Sequence, residues 1–435
     1  MFDVPQKALL ALLRVGLDGS ASAMDARLMA ELSADEWRDM LDMANVHGVA
    51  AIAVDGLNRL HERKDFCYAL DDASCMDIRY AWMGQQLTYE QLYGAKWETA
   101  SFVANYWAEN GIDTYCLKGF SFAQYYPIPE HRHGSDFDCF LSDWTRGNRL
   151  VEKQGVKVDW SEAKHSHFTV RGLHFENHQT CIGINGSKKD KVLERYLQSV
   201  MGAAYPVQCA FGAVQSGDAT FNGCKQPVQE AAHPVQCAYE SSIDLRPGSK
   251  VQCGYAAVQG PADNGQQMAE RIGESVIGMP TTLFNALFCI KHAQHHFLVE
   301  DGITLRHVCD WLMIRRSPSF RDCRDMFCRD AERFGLMPFV APLDEVADVI
   351  AGQRQEQDIS ANAKFLLNDI LAHSVATSSE KPKRKRRSKL HAYWGMLRQM
   401  WANRQRFRSF STTSAPAMMC RYVIGHLFDH DASIE

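Results

Sequence analysis

The stretch Gly134-Ser135-Asp136-Phe137-Asp138-Cys139-Phe140-Leu141 constrains the fold more than any other part of the chain. Apolar residues at 137, 139 and 141 alternate with Asp136 and Asp138, the period of two that marks a strand with one face in a core. The two aspartates then leave the opposite face together. Neighbouring carboxylates raise each other's pKa, so a fold that holds them side by side has to supply cations. Oxygen-only ligands of this kind suit Mg²⁺ or Mn²⁺ rather than zinc.

The elements around this strand follow from local signals. Glu98 to Glu109 reads as a helix closed by Asn110-Gly111. Asp113 to Lys118 is an apolar run of strand length ended by Gly119, and a helix-like segment from Ser121 to Tyr126 stops at Pro127 and Pro129. After the aspartates come a helix from Trp144 to Lys153, a strand from Val156 to Trp160 and a hairpin, His167 to Val170 and Leu173 to His178, turning at Arg171-Gly172. Glu176 lies on a strand of opposite polarity, where pairing brings it against the two aspartates. Three carboxylates on adjacent strands are the ligand set of two-metal phosphoryl or nucleotidyl transfer. Upstream, Lys118-Gly119-Phe120-Ser121 closes a strand and opens a helix, a place where backbone N–H groups can hold phosphate oxygens.

Both flanks read as helical. Leu9, Leu10, Leu12, Leu13 and Val15 form one stripe. Trp37, Met40, Leu41, Ala44, Val49 and Ile52 form another, behind Ser33 as N-cap with Glu36 three residues on, and His47-Gly48 marks a helix junction. Helical spacing returns from Thr282 to Ser374, in Leu283, Leu287, Ile290 and Ala293 and again in Leu305, Val308, Cys309 and Leu312. The expected fold is therefore α+β: a small mixed sheet flanked by N- and C-terminal helical regions. The expected division is 1–95 helical, 96–200 the sheet core, 201–275 an insertion, 276–380 a second helical region and 381–435 a basic tail. The insertion reads as low-complexity and flexible: residues 201–268 hold eight charged residues in 68 and repeat Val-Gln-Cys at Val207, Val235 and Val251 with irregular spacing.

Charge is uneven. The chain has 47 Lys and Arg against 52 Asp and Glu, a net −5. Twelve of those cations and no acid lie between Lys381 and Arg421, which leaves 35 cations against 52 acids elsewhere. A basic arm on an acidic body suits either a solvated tail or contact with a polyanion such as nucleic acid. Aromatics at Tyr393, Trp394, Trp401, Phe407 and Phe410 interleave with its arginines, a mixture that stacks on bases or packs as an ordinary amphipathic helix. Fourteen cysteines without CxxC spacing, no run of about 20 apolar residues and no leader pattern at Met1 to Leu13 exclude a disulfide scaffold and a spanning helix, and point to the cytoplasm.

Taken in order, these residues resemble the polymerase-β-like nucleotidyltransferase superfamily, and within it the uncharacterised bacterial branch of "nucleotidyltransferase family" proteins. The resemblance rests on Lys118-Gly119, on Arg132 before Gly134-Ser135-Asp136-Phe137-Asp138, and on Glu176-Asn177-His178. His47-Gly48-Val49, His292-x-x-x-His296-Phe297, Leu305-Arg306-His307 and Asp310-Trp311 are similar too. It covers most of residues 1–200 and 280–320. Phe120 and Ser135 depart from the family's pattern. The resemblance implies a Mg²⁺- or Mn²⁺-dependent transferase that moves an NMP from an NTP such as ATP to an acceptor hydroxyl and releases pyrophosphate, with two ions bound alongside the NTP. By the same resemblance Asp136, Asp138 and Glu176 are the catalytic and metal-binding residues. Lys118, Gly119, Ser121 and Arg132 bind the nucleotide. The acceptor is a small molecule, a protein or an RNA. A nucleotide-binding or antitoxin-like regulatory protein with weak catalysis is the alternative. A further one is nucleic-acid end modification with the tail 381–421 as the clamp.

The histidines stay open at this level. His292 and His296 stand four apart on one helical face, as zinc ligands, as a polar wall of the nucleotide cleft or as satisfied structural histidines; Asp310 offers a third ligand if the helices pack suitably. His178 suits either a place behind the metal ligands or a plain position on a strand.

Overall fold

A computed structural model describes residues 2–19, 21–62, 70, 72–161, 164–184, 188–201, 276–376 and 389–428. Nearly all of the 201–275 insertion and the basic run between Lys381 and Lys389 lie outside the described residues.

Four helices open the chain: α1 (Val4–Asp18), α2 (Ala23–Ala30), α3 (Ala34–Val46) and α4 (Ala50–His61). The first three start from capping boxes, Asp3 with Gln6, Ser22 with Asp25 and Ser33 with Glu36, each of which satisfies two backbone N–H groups that the first turn leaves open. Helices α1 and α4 cross at glycines. A Cβ on Gly16 would stand 2.2 Å from the Ile52 carbonyl oxygen, and one on Gly56 would stand 2.1 Å from that of Leu12. Only a residue without a Cβ permits this approach.

Helix α5 (Met76–Glu109) spans 34 residues, about 51 Å at 1.5 Å per residue. It runs unbroken across the boundary expected at residue 95, joining the end of the N-terminal helical region to the helix expected from Glu98 to Glu109. Its first half packs among the helices, with Trp82 edge-on to Trp37. Its second half lays Trp97, Ala100, Val103, Ala104 and Trp107 on the sheet.

The sheet comprises β1 (Thr114–Cys116), β2 (Phe137–Leu141), β3 (His165–Val170), β4 (Leu173–His178) and β5 (Ile277–Gly278), in the order β3-β4-β2-β1-β5. Helices α6 (Phe120–Ala123) and α7 (Trp144–Lys153) flank β2 in sequence. Strands β3 and β4 form the expected hairpin, closed by Arg171 and Gly172, both at positive φ, a turn whose twist matches that of the strands. Two expectations fail here. Strand β4 runs parallel to β2, because the chain crosses over through α7 before the hairpin, and the antiparallel partner of β4 is β3. Val156 to Trp160 forms no strand, only a bridge from Asp159 to His167.

Alternation divides the sheet into two chemistries. Phe137, Cys139, Leu141, Phe168, Val170, Leu173 and Phe175 bury one face against α5 and α7. Asp138, Glu176 and the histidines at 165, 167, 174 and 178 occupy the other.

After α8 (Lys188–Met201) and β5 come α9 (Thr282–Val299), α10 (Leu305–Arg316), α11 (Pro318–Arg333), α12 (Met337–Ile350) and α13 (Ala361–Ala376). These share one apolar core with α1–α4 and the first half of α5, so the two helical flanks close on each other. The basic end forms α14 (Lys389–Ala402), α15 (Arg404–Phe410) and α16 (Ala415–Phe428). Phe407 and Phe410 are fully buried there, Arg406 pairs with Asp369 at 2.7 Å, and Asn403 caps the carbonyls of Leu298 and Glu300. Trp394 and Trp401 are exposed. The architecture is the mixed α+β arrangement that the sequence implied. No helix among the described residues is long and apolar enough to cross a membrane, and the nine described cysteines are all free.

Candidate active site

The parallel register of β2 and β4 sets Asp138 directly beside Glu176 on the polar face. Asp136 immediately precedes β2 on the same side. Lys118, at the end of the segment after β1, places its Nζ 2.8 Å from Asp138 Oδ1. His178 points its Nε2 at both acids, 3.2 Å from Asp138 Oδ1 and 3.6 Å from Glu176 Oε2.

The electrostatics follow from these distances. Burial works to raise the Asp138 carboxyl, but the Lys118 ammonium and then His178 outweigh it and hold the group well below the usual carboxylate range. Glu176 is also held low against its burial, chiefly by His178. Asp136 differs from these two acids. Burial, aided by the charges of Asp138 and Glu176, pushes it up, and the 2.9 Å hydrogen bond from Ser135 only partly offsets this. Burial disfavours the charged form of Lys118, yet Asp138 and Glu176 together raise it.

Gly119 turns the chain from β1 into α6 with φ 64° and ψ −110°, a combination that side chains do not tolerate. Phe120, the residue foreign to the family's pattern, packs edge-on against Tyr93 and Trp97 at 4.9 Å and pins this turn to α5. Ser121 is fully buried. Its hydroxyl donates to Asn285 Oδ1 of α9 at 2.9 Å and its N–H to the Lys118 carbonyl at 3.3 Å, so its donors serve the fold. Arg132 is paired as well. Its Nε and Nη2 donate to the two oxygens of Asp310 at 2.6 and 2.8 Å in a buried bidentate pair, and Tyr126 donates to the same carboxylate at 2.7 Å.

That pairing removes Asp310 from the histidine cluster, where the sequence had offered it as a third ligand. His307 stands there instead: ligand atoms of His292, His296 and His307 lie within 4.8 Å of one another, with the Nε2 atoms of His292 and His296 3.1 Å apart. Burial and the neighbouring positive charges hold His292 and His307 well below the usual histidine range. Among the described residues two further groups reach the same closeness, His165 with Glu176 and His178, and His167 with His174 and Glu176. Asp136, Asp138 and Glu176 do not form such a group as they stand. Two of these three groups are therefore built on Glu176 and imidazoles, with Asp138 adjoining them.

Beside Asp136 lies a narrow cleft, with about 30 Å³ of room, between α5 and the loop before β2, lined by Tyr89, Tyr93, Lys96, Gly119, Arg132 and His133. Neither Lys96 nor His133 was singled out in the sequence; spacing along α5 would have put Lys96 one turn beyond Tyr93, on the face that meets the glycine turn. His131 was also missed. It bridges Asp55 at 2.7 Å and Glu90 at 2.8 Å, and these acids raise it against the effect of its burial.

Residues 33–210 match the profile of a family described as "Uncharacterised nucleotidyltransferase", about two fifths of the chain. No curated protein and no solved structure matches it. The matched segment contains every residue of the acid cluster and is consistent with a member of the nucleotidyltransferase superfamily and with a transferase.

Proposed function

We propose that this chain, whose residues 33–210 match a nucleotidyltransferase family, transfers a nucleoside monophosphate from an NTP to an acceptor hydroxyl and releases pyrophosphate. The observation that carries this reading is the register of Asp138 beside Glu176, with Lys118 and His178 contacting the same carboxylates. The donor set fits a divalent cation, because two carboxylates held in their charged form meet an imidazole nitrogen at one point of the sheet. Asp138 and Glu176 would hold Mg²⁺ or Mn²⁺, with Asp136 joining when the triphosphate brings a second ion. Such ions neutralise phosphate charge and lower the pKa of a hydroxyl when bound.

The protein's own groups supply the rest. The acceptor oxygen bonds to the α-phosphorus while the bond from that phosphorus to the β-phosphate oxygen breaks, and pyrophosphate leaves. Glu176, kept ionised, takes the hydroxyl proton. Lys118 lies beside Asp138 and can turn its ammonium towards phosphate oxygens. Gly119 leaves room for a close approach beside Asp136, and Tyr89 and Tyr93 line the same cleft, which would have to widen to take a base or an acceptor.

The test is the melting temperature of the wild type and of Asp138→Asn with each of the four NTPs in Mg²⁺ or Mn²⁺. A cation-dependent rise with at least one NTP, absent in the variant, is expected. No rise with any NTP under either ion overturns the proposal. The burial of Ser121 and the pairing of Arg132 favour a second reading, a nucleotide-binding or regulatory protein without turnover. That reading predicts the same shift but no transfer of NMP to any acceptor.

A further inference from the structure

The imidazoles around Glu176 carry more information than a general affinity for cations. His178 is buried, with 1% of its surface exposed, so solvent cannot satisfy it. Its Nδ1 faces the Thr180 carbonyl oxygen at 3.3 Å. A carbonyl only accepts, so Nδ1 carries a hydrogen and Nε2 is the ring nitrogen left to face the sheet's acids. That nitrogen points at two carboxylates, Asp138 and Glu176. Lys118 offsets part of the charge at Asp138, 2.8 Å from Oδ1, and a dication between Nε2 and the two carboxylates would meet three ligand atoms at once. A metal-bound histidine commonly shows this arrangement, with its other ring N–H fixed by a backbone carbonyl.

The spacing suits an ion. A dication with bonds of about 2.1 Å separates its ligand atoms by about 3.0 Å at right angles and by about 4.2 Å across the centre. The Nε2 of His178 lies 3.2 Å from Asp138 Oδ1 and 3.6 Å from Glu176 Oε2, and the Nε2 of His165 lies 4.0 Å from Glu176 Oε2. All three ligand atoms of His165, Glu176 and His178 fall within 4.8 Å of one another. The hairpin places them: His165 pairs with His178 across β3 and β4, and period two brings Glu176 to the same face.

We propose that His165, Glu176 and His178, with Asp138 adjoining, form a mixed nitrogen–oxygen site for a first-row transition-metal dication such as Mn²⁺ and discriminate against Mg²⁺. Imidazole nitrogen is a good ligand for transition ions and a poor one for Mg²⁺, which favours oxygen and water. The inference rests on the proposed function only in that it assigns the ion of the same site.

The experiment leaves the nucleotide out, so the two ideas fail separately. Mn²⁺ alone is titrated into the metal-free full-length protein while electron paramagnetic resonance counts free Mn²⁺, and Mg²⁺ is then added as a competitor. The wild type should bind one Mn²⁺ at least ten-fold more tightly than Mg²⁺. His165→Gln and His178→Gln should each weaken Mn²⁺ ten-fold or more and leave Mg²⁺ affinity within two-fold. Pulsed resonance on wild-type Mn²⁺ protein should show nitrogen coupling, a readout that does not depend on how the variants fold. Equal affinity for the two ions, or Mn²⁺ bound without nitrogen coupling, overturns the proposal and leaves His178 as a hydrogen-bond partner of the two acids. Tight, nitrogen-coupled Mn²⁺ in a protein that no NTP stabilises keeps this inference and removes the nucleotidyltransferase reading.

Discussion

The pair between Arg132 and Asp310 joins the loop before β2 to helix α10, and the consequences of cutting it can be worked from its geometry. Both side chains are buried, the guanidinium donates twice at 2.6 and 2.8 Å, and Tyr126 adds a third bond to the same carboxylate. Asp310→Ala leaves Arg132 charged and buried, with the charge of Arg306 close enough to repel it. Breaking one side of such a pair costs about 3–5 kcal/mol, whereas replacing both partners with apolar residues of similar size is often neutral. At about 2–4 °C per kcal/mol for domains of 150–250 residues, Asp310→Ala should lower the melting temperature by about 6 °C or more. Arg132→Met/Asp310→Leu should recover most of that loss, giving a coupling of several kcal/mol in a double-mutant cycle. Calorimetry of the four proteins measures this, and NTP-induced stabilisation of the double variant is read alongside. A drop below 2 °C for Asp310→Ala, or a double variant as unstable as the sum of the singles, refutes the assignment of Arg132 to the fold. Loss of NTP stabilisation in a well-folded double variant would return Arg132 to the nucleotide.

Three other outcomes follow from packing and charge. Gly16→Ala should cost about 1–3 kcal/mol in urea denaturation because its Cβ meets the Ile52 carbonyl at 2.2 Å, while Gly84→Ala, whose Cβ meets nothing within 4 Å, should be neutral or stabilising by up to about 1 kcal/mol. Phe410→Ala should cost about 3–5 kcal/mol in the same assay, since the ring is fully buried against Phe297 and Phe339 although it belongs to the basic end. His133 is pushed down to about 3 by burial and by the charges of Arg306, Lys96 and Arg132. Its unfolded form binds a proton below about pH 6.5 that the folded form refuses. It therefore subtracts stability as pH falls from there towards 3, by up to about 1.4 kcal/mol per unit before solvent screening. His133→Gln should flatten the pH dependence of the urea midpoint between pH 6.5 and 4.5, and parallel curves would contradict this.

What could be read in advance was whatever a few neighbouring residues decide. Ser33 with Glu36 gave a helix start, Arg171-Gly172 gave the hairpin turn, and the alternation around Asp138 gave the sheet face that carries the acids. The length of α5 was hidden because its first half faces one core through Trp82 and its second half another through Trp97 and Trp107, so no single stripe runs its length. The parallel pairing of β2 with β4 depends on the path through α7, which lies beyond the reach of any local pattern. Arg132 finds Asp310 across 178 residues, and His131 finds Asp55 and Glu90 across 76 and 41. No local pattern shows these partners, and with Asp310 paired to Arg132 it is His307 that stands beside His292 and His296.

The most direct test of the central claim follows label from two positions of one NTP. The protein is incubated with divalent cation, a cell extract as the source of acceptor, and the stabilising NTP labelled at either the α- or the γ-phosphate. Nucleotidyl transfer predicts that α-label passes to an acceptor while γ-label appears in pyrophosphate, and that Asp138→Asn does neither. Transfer of γ-label to an acceptor, or α-label transfer that survives in Asp138→Asn, would contradict the assignment of this sheet face to nucleotidyl transfer.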